Sequence, residues 1–287
     1  MKPATIQGVI LPTATSIRAL LAEHGAAPSR ALGQHFLADP NTARRIVRLA
    51  DLEPGARVLE IGPGVGSLTA ALLEADARIT ALELDRHVLP LLNAVLESTG
   101  MADRVNVVHG DAMTADLAAI SGESPVTCVS NLPYNVATPI VMRLLNEAPN
   151  VTRLLVMVQR EVGERMAAKV GGREYGAVTV KIAFHGVARM VGTVAPSVFL
   201  PPPKVDSALV RIDRHPQSVV DVSSRELLFG IIQTGFAQRR KMLRRALVPL
   251  FGDRTLQLLE AAGIDPAARA ETIELQAWAA LARASEA

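Results

Sequence analysis

Apolar residues in this chain fall first into short runs that end in glycine or polar residues. Val58, Leu59 and Ile61 form the first run, which leads into Gly62-Pro63-Gly64-Val65-Gly66-Ser67. Ile79-Thr80-Ala81-Leu82 ends in Glu83-Leu84-Asp85, and Val105-Asn106-Val107-Val108 runs into His109-Gly110-Asp111-Ala112. Val126-Thr127-Cys128-Val129-Ser130 continues into Asn131-Leu132-Pro133-Tyr134, and residues 153–158 give a fifth run. Runs apolar on both faces suit strands of a buried parallel sheet. Helical spacing lies between them. Asp39-Pro40-Asn41 starts a helix with Ile46, Val47 and Leu49 inward, and residues 86–96 form another. Thr138-Pro139 opens a helix with Ile140, Val141, Leu144 and Leu145 inward, with proline well placed in the first turn. Strands alternating with helices predict an α/β fold with a mostly parallel, Rossmann-like sheet.

Residues 159–169 read as an amphipathic helix broken by Gly171-Gly172. The pattern then changes. Residues 178–184 alternate like a strand with one solvated face. Residues 187–194 and 205–212 are further strands, so an antiparallel edge is expected on the parallel sheet. Residues 214–222 form a linker. Beyond it, residues 223–233, 238–250, 254–262 and 272–284 read as helices, with Gly263-Ile264-Asp265-Pro266 as a stop. The expected organisation is therefore a leader over residues 1–28, a sheet domain over residues 29–213 and a small all-helical domain over residues 214–287. Within the leader, residues 1–12 look loose, and Thr15 or Ser16 caps a short helix through Glu23.

Composition narrows the class. The 287 residues are 49% hydrophobic, enough for one large or two modest domains. A net charge of +2 makes any nucleic-acid surface local. The single Cys128 excludes an intrachain disulfide framework, and no paired Cys/His spacing suggests zinc, so no metal is expected. No apolar run approaches the roughly 20 residues of a membrane span, and the start lacks a signal peptide's apolar core. A cytoplasmic location is expected.

The strand ends carry the candidate chemistry. Gly62, Gly64 and Gly66 allow positive φ and close approach of a ligand to the backbone. The spacing is G-x-G-x-G with Pro63 inside, which differs from the dinucleotide pattern G-x-G-x-x-G, and no Gly-Lys-Ser/Thr of a P-loop follows. Glu83, about twenty residues on, is placed to accept hydrogen bonds from a ribose diol. Asp111 is placed to accept from an exocyclic amine.

Together, Glu60-Ile61-Gly62-Pro63-Gly64, Gly110-Asp111-Ala112 and Asn131-Leu132-Pro133-Tyr134 resemble the S-adenosylmethionine (SAM) and adenine-binding motifs of the rRNA adenine dimethyltransferases. Leu32-Gly33-Gln34-His35-Phe36-Leu37 and Val198-Phe199-Leu200-Pro201-Pro202-Pro203-Lys204-Val205-Asp206-Ser207 fit the same family. The resemblance is closest to the small-subunit enzymes, which convert two adjacent adenosines of 16S rRNA to N6,N6-dimethyladenosine. Large-subunit relatives often carry Ile at the position of Leu132. The resemblance implies donor contacts from His35, Leu37, Gly62, Gly64, Glu83, Asp111, Ala112 and Asn131. Many relatives have Asn at the position of His35. It also implies a Phe199 that faces the target base, a small-subunit precursor as partner, and action as a monomer. A large-subunit or DNA adenine substrate, and a non-catalytic RNA-binding assembly or transcription factor, are the competing readings.

Adenine N6 is a poor nucleophile because its lone pair is delocalised into the ring. An enzyme helps by accepting both N–H hydrogens, here through the Asn131 side chain and the Leu132 carbonyl, held rigid by Pro133. Tyr134 offers a face for stacking, worth ~1–3 kcal/mol. Residues 236–247 contain Arg239, Arg240, Lys241, Arg244 and Arg245 and no acid, on an expected helix. That density suits contact with RNA phosphates.

Overall fold

A computed structural model of the chain describes residues 9–286. Two compact units emerge, one over Met1–Gly163 and Arg189–Asp213, the other over Glu164–Ala188 and Arg214–Ala287. The sheet domain expected over residues 29–213 thus cedes residues 164–188 to the second unit.

The first unit carries β1 (Phe36–Leu37), β2 (Arg57–Ile61), β3 (Arg78–Glu83), β4 (Val105–His109), β5 (Val126–Asn131) and β6 (Val151–Gln159), with most of β7 (Gly186–Val194), β8 (Phe199–Leu200) and all but the last residue of β9 (Ser207–Arg214) completing it. Its helices are α1 (Ala14–Glu23), α2 (Pro40–Ala50), α3 (Ser67–Glu74), α4 (Leu89–Thr99), α5 (Leu117–Ser121), α6 (Ala137–Glu147) and the start of α7 (Arg160–Met166). Seven strands form one sheet in the order β4-β3-β2-β5-β6-β9-β7. Strands β2 to β6 pair in parallel, and β9 adds antiparallel to β6, the edge the alternation predicted. From β2 the chain steps outward to β4, then returns to lay β5 on the other side of β2. The switch point therefore lies between β2 and β5, where open α/β sheets hold their ligands. Buried Val58, Ile79, Ala81, Val129 and Leu155 of the sheet meet Leu72 and Leu73 of α3 and Ile46 of α2 in the main core.

The segment before residue 28 is partly a structural element. Val9 and Leu11 are buried in the main core while Ile10 between them is exposed, and residues 1–8 lie outside the described residues. Thr13, rather than Thr15 or Ser16, caps α1. Its hydroxyl accepts from Ser16 N at 3.3 Å and its own N–H donates to Ser16 Oγ at 2.7 Å, a capping box.

The second unit contains α8 (Ala177–His185), α9 (Arg225–Ala237), α10 (Leu243–Ala246), α11 (Val248–Phe251), α12 (Thr255–Ala261) and α13 (Leu275–Glu286). Residues 178–184, expected as a strand, form α8. The same stretch carries a helical stripe, Ala177, Val180, Ala183 and Phe184, which packs into this unit's core with Leu228, Ile231 and Trp278. Two periods fit these residues, and burial selects the helical one. The helix expected over residues 238–250 is also broken. Met242 bridges Arg269, and the N–H groups of Leu243 and Arg244 donate to the carbonyls of Ala268 and Pro266. These outside partners end α9 at Ala237 and start a new turn at Leu243.

Candidate active site

The ends of β2, β3, β4 and β5 open into one cleft, which encloses about 1160 Å³ including solvent at its mouth. Gly62, Gly64, Glu83, Asp111, Ala112, Asn131, Leu132, Pro133 and Tyr134 line it, with His35 and Leu37 from the segment around β1. Gly62 and Gly64 have φ of 70° and 58°, in the left-handed region. A Cβ on Gly64 would lie 3.0 Å from the Phe36 ring, so the turn and the β1 segment are in close contact. α3 starts directly after the turn. Neither Ser67 nor Thr69 caps it: the N-cap is Gly66, Ser67 Oγ is buried without a partner, and Thr69 donates to Glu60.

The carboxylates at the strand ends are held by backbone donors. Glu83 Oε2 accepts from Gly64 N at 3.0 Å and Oε1 from Asp85 N at 2.8 Å. These backbone donors, with that of Leu84 beside them, fix the carboxylate at the cleft, where it can accept from a diol. Burial raises the Glu83 carboxyl above its ordinary range, against the pull of these N–H groups. Asp111 Oδ1 accepts from Met113 N at 2.7 Å, which leaves Oδ2 for a further donor. Glu60, one strand deeper, is buried. Its pKa is pushed up to about 8 by desolvation, opposed by the Thr69 hydroxyl at 2.7 Å. A glycine turn, a carboxylate suited to a diol and a carboxylate suited to an amine fit SAM, read outward from β2 to β4.

On the other side of the switch point stands the tetrad Asn131-Leu132-Pro133-Tyr134. Asn131 Nδ2 donates to the His35 carbonyl at 3.1 Å. A carbonyl only accepts, so this bond fixes the amide with Oδ1 left as an acceptor. The Leu132 N–H donates to Met157 O at 3.1 Å, while its carbonyl has no hydrogen-bond donor among the described residues. Two unspent acceptors therefore occupy consecutive positions. The Tyr134 phenol lies 2.6 Å from Ser207 Oγ, and burial raises its pKa. Cys128 lies deep in β5, its thiol pushed up to about 12 by burial, and is inert.

Phe199 departs from the expected position. It is 4% exposed, belongs to the main core and does not line the cleft. Strand alternation explains this. β8 pairs with β1 so that Leu37 and Phe199 face the main core, while Phe36 and Leu200 face the cluster of Ile17, Val65 and Leu91. The aromatic ring that this pair offers the cleft is Phe36.

Residues 28–285 match the model of a family described as ribosomal RNA adenine dimethylase. The chain belongs to the ribosomal RNA adenine dimethylase family. It is 45% identical over 271 residues to the ribosomal RNA small subunit methyltransferase A of Leifsonia xyli subsp. xyli, covering 93% of this chain and 95% of that one. The protein of the same name from Rhodococcus opacus is 45% identical over 273 residues, covering 93% and 92%. Among solved structures, the 23S rRNA methyltransferase ErmE superposes with a TM-score of 0.67 at 26% identity, over 88% of this chain and all of that one. A dimethyladenosine transferase from Plasmodium falciparum shares the fold, with a TM-score of 0.74 at 23% identity over 86% of this chain and 96% of its own.

Several residues that brace the cleft carried no signal that singled them out. Ser207 stands in the quoted proline-rich motif, yet only the fold brings it to Tyr134. Gln34 Nε2 donates to Asp85 at 2.8 Å and ties the β1 segment to the end of β3. Arg143, on α6, donates to the carbonyls of Ala112 at 2.7 Å and Ala115 at 3.0 Å and pairs with Glu147, shaping the loop after β4. Nothing local to Arg143 separates it from an ordinary helical arginine. Ser130 accepts from Ile61 N at 2.8 Å and ties β5 to β2 at the switch point.

The basic run divides in the second unit. Arg239 is committed: it pairs with Glu271 at 2.9 Å and donates to the Arg173 carbonyl. Arg240 and Lys241 lie in the turn after α9, and Arg244 and Arg245 on α10. All four are exposed and form no ion pair among the described residues.

Proposed function

We propose that this chain transfers methyl groups from SAM to N6 of two adjacent adenosines in a loop of 16S rRNA during small-subunit assembly. The observation that carries the reading is the convergence of Gly62 and Gly64, Glu83, Asp111 and Asn131 at the ends of four neighbouring strands in one cleft. The small-subunit relatives are 42–45% identical, against 26% for the large-subunit enzyme ErmE, which favours the small-subunit substrate.

Gly62 and Gly64 would admit the donor to the backbone, with Leu37 and Ala112 as apolar contacts. Glu83 would hold its ribose and Asp111 its adenine amine. Bound there, SAM supplies an electrophilic methyl on a good leaving group. The target adenine, taken out of its stack or already single-stranded, stacks on Tyr134. Asn131 Oδ1 and the Leu132 carbonyl accept its two N6 hydrogens, so the nitrogen lone pair turns toward the methyl. Positioning and fixed dipoles lower the barrier for an in-line displacement in which the N6–CH3 bond forms as the S–CH3 bond breaks; S-adenosylhomocysteine leaves, and the N6 proton set free by each transfer passes to solvent. Arg240, Lys241, Arg244 and Arg245 grip phosphates of the precursor particle. Donor and acceptor groups lie in a single chain's cleft, which supports action as a monomer, and a ribosomal precursor as substrate supports a cytoplasmic location.

Incubating the purified protein with isotopically labelled SAM and undermethylated small subunits, followed by nucleoside mass spectrometry, tests the reading. Labelled N6,N6-dimethyladenosine in 16S rRNA is expected. Label confined to large-subunit rRNA or DNA would replace the substrate, and no label anywhere would leave an RNA-binding factor.

A further inference from the structure

The strands that end at the donor cleft begin at a second cavity. It encloses about 810 Å³, including solvent at its mouth, around the starts of β2, β3 and β4. In register, Arg57 lies opposite Arg78, and Leu59, Thr80 and Asn106 form the next row on the same side. Side chains paired in register leave a sheet on the same face, and neighbouring strands lie only ~4.8 Å apart. Arg57, Arg78 and Arg104, which precedes β4, all line the cavity, so three guanidinium groups share one end of one face.

Like charges on directly opposed residues destabilise a sheet, and acids between them would relieve it. Arg104 has such an acid in Asp76. Arg57 and Arg78 form no ion pair among the described residues. Arg57 is held by carbonyls instead: Nη1 donates to Ser124 at 3.2 Å and Nη2 to Ser121 at 3.0 Å. A Cβ on Gly122 would lie 2.7 Å from Nη2, so the guanidinium rests close against this turn. Two of its five N–H groups are used and three remain. The Arg78 side chain is exposed and makes no hydrogen bond among the described residues. Asp103, the one acid that lines the cavity, is exposed and pairs with neither arginine.

We infer that this end of the sheet is a phosphate-binding site, apart from the donor cleft, in which Arg57 and Arg78 share one anion. The neutralising charge comes from the ligand rather than from an acid of the chain. Guanidinium forks bind phosphate through paired N–H groups, and Thr80 and Asn106 offer further donors on the same face. A tetrahedral group, with oxygens on several sides, suits donors spread over three strands better than a planar carboxylate does. Two sources share this chemistry: the phosphodiester backbone of RNA, and free phosphate or pyrophosphate. Under the proposed function, the first is a hold on the precursor from the first unit, additional to the cations of the second. The site itself does not rest on that function.

Two assays on the full chain test the site. In the first, calorimetry and melting follow titration with inorganic phosphate and with pyrophosphate, against chloride and acetate at matched ionic strength. Phosphate or pyrophosphate should bind beyond both controls, and Arg78→Ala should weaken that binding about tenfold or more, the scale of a lost charge-assisted pair. In phosphate-free buffer Arg78→Ala should melt no lower than wild type, because a repulsion is removed. The second assay is filter binding of small subunits across a salt series. If RNA fills the site, Arg78→Ala should weaken binding and flatten the slope of log K against log salt by roughly 0.7 to 0.9, for one phosphate lost. S-adenosylhomocysteine affinity should stay at the wild-type value. A flattened slope assigns the site to RNA. An unchanged slope with phosphate binding that depends on Arg78 assigns it to a free phosphate compound. An unchanged slope overturns the inference when phosphate binds no better than chloride and acetate, or binds Arg78→Ala as well as wild type. A lower melting temperature for Arg78→Ala in phosphate-free buffer also overturns it, since Arg78 would then serve the fold. A wild type that transfers no methyl group overturns the proposed function and leaves the anion titration to decide on this site.

Discussion

The hydroxyl of Tyr134 and that of Ser207 lie 2.6 Å apart, although 73 residues separate them in sequence. Ser207 is fully buried at the start of β9. It joins the antiparallel edge of the sheet to the acceptor tetrad at the end of β5. Serine at this point does not touch the cleft, so its effect on catalysis passes through the tyrosine ring. Ser207→Ala should cost about 1 kcal/mol of ring placement, the net worth of a neutral hydrogen bond. Single-turnover transfer should slow roughly fivefold with S-adenosylhomocysteine affinity unchanged. Tyr134→Phe should behave alike, and Tyr134→Ala should lose more because stacking goes too. Equal rates for wild type and Ser207→Ala would make the contact incidental.

Glu83 is expected to dominate donor affinity. Its two oxygens accept from the Gly64 and Asp85 N–H groups at the lip of the cleft. Glu83→Ala should weaken S-adenosylhomocysteine binding by ~1.5–3 kcal/mol for each charge-assisted bond removed. Glu83→Gln should not rescue it, because the amide NH2 would face a backbone N–H. Asp111→Ala should weaken binding to a lesser degree. Calorimetry on the folded variants decides; unchanged affinity in both alanine variants would remove the donor assignment from this cleft.

The parallel strands β2, β3, β5 and β6 were legible because they are largely buried, which leaves apolar runs ending in polar residues, while β4, at the sheet edge and only half-buried, still shows its valines. The motifs that line the cleft were legible for the same reason: each sits at the end of such a run. Where two patterns overlapped, sequence could not choose. Residues 178–184 satisfy a period of two and a helical stripe together, and only packing against Leu228 and Ile231 selects α8. The turn after α9 depends on carbonyls at residues 266–268, and the pairing of Arg239 depends on Glu271. Neither partner is visible from the basic run itself. The packing of Phe199 in the main core was not legible, because its facing depends on the register of a two-residue pairing, and a one-residue change reverses it.

Glu60 should give the fold a distinct dependence on pH. In the unfolded chain its carboxyl titrates near 4.5, and burial pushes it up to about 8 in the fold. Between these values the unfolded chain has released the proton while the folded protein still holds it. Stability therefore falls as pH rises from about 4.5 to about 8 and levels off above that. At ~1.36 kcal/mol per pKa unit, the full effect is on the order of several kcal/mol. Glu60→Gln keeps an acceptor for the Thr69 hydroxyl and removes the titration. Denaturant unfolding at a series of pH values should show the variant gaining on wild type from pH 5 to pH 8. Parallel curves would mean that Glu60 is ionised in the fold.

The exposed cations of the second unit should govern RNA affinity without touching the donor site. A flipped adenine presents little surface, so selectivity for a large particle must come from contacts elsewhere. Arg240, Lys241, Arg244 and Arg245 are exposed and unpaired by acids among the described residues, whereas Arg239 is held by Glu271. The two kinds of arginine should respond differently. Changing the four exposed residues to Ala should weaken binding to the small subunit and flatten its salt dependence. For every phosphate no longer neutralised, the slope of log K against log salt should shrink by roughly 0.9 on a duplex and roughly 0.7 on a single strand. S-adenosylhomocysteine affinity and thermal stability should stay at wild-type values. Arg239→Ala should instead lower the melting temperature, because it leaves Glu271 and the Arg173 carbonyl without their donor, and should change the salt slope little. A filter-binding series across salt concentrations separates the outcomes. An unchanged slope in the fourfold variant would make the cluster a solvated face, and would move the phosphate contacts to cations of the first unit such as Arg30.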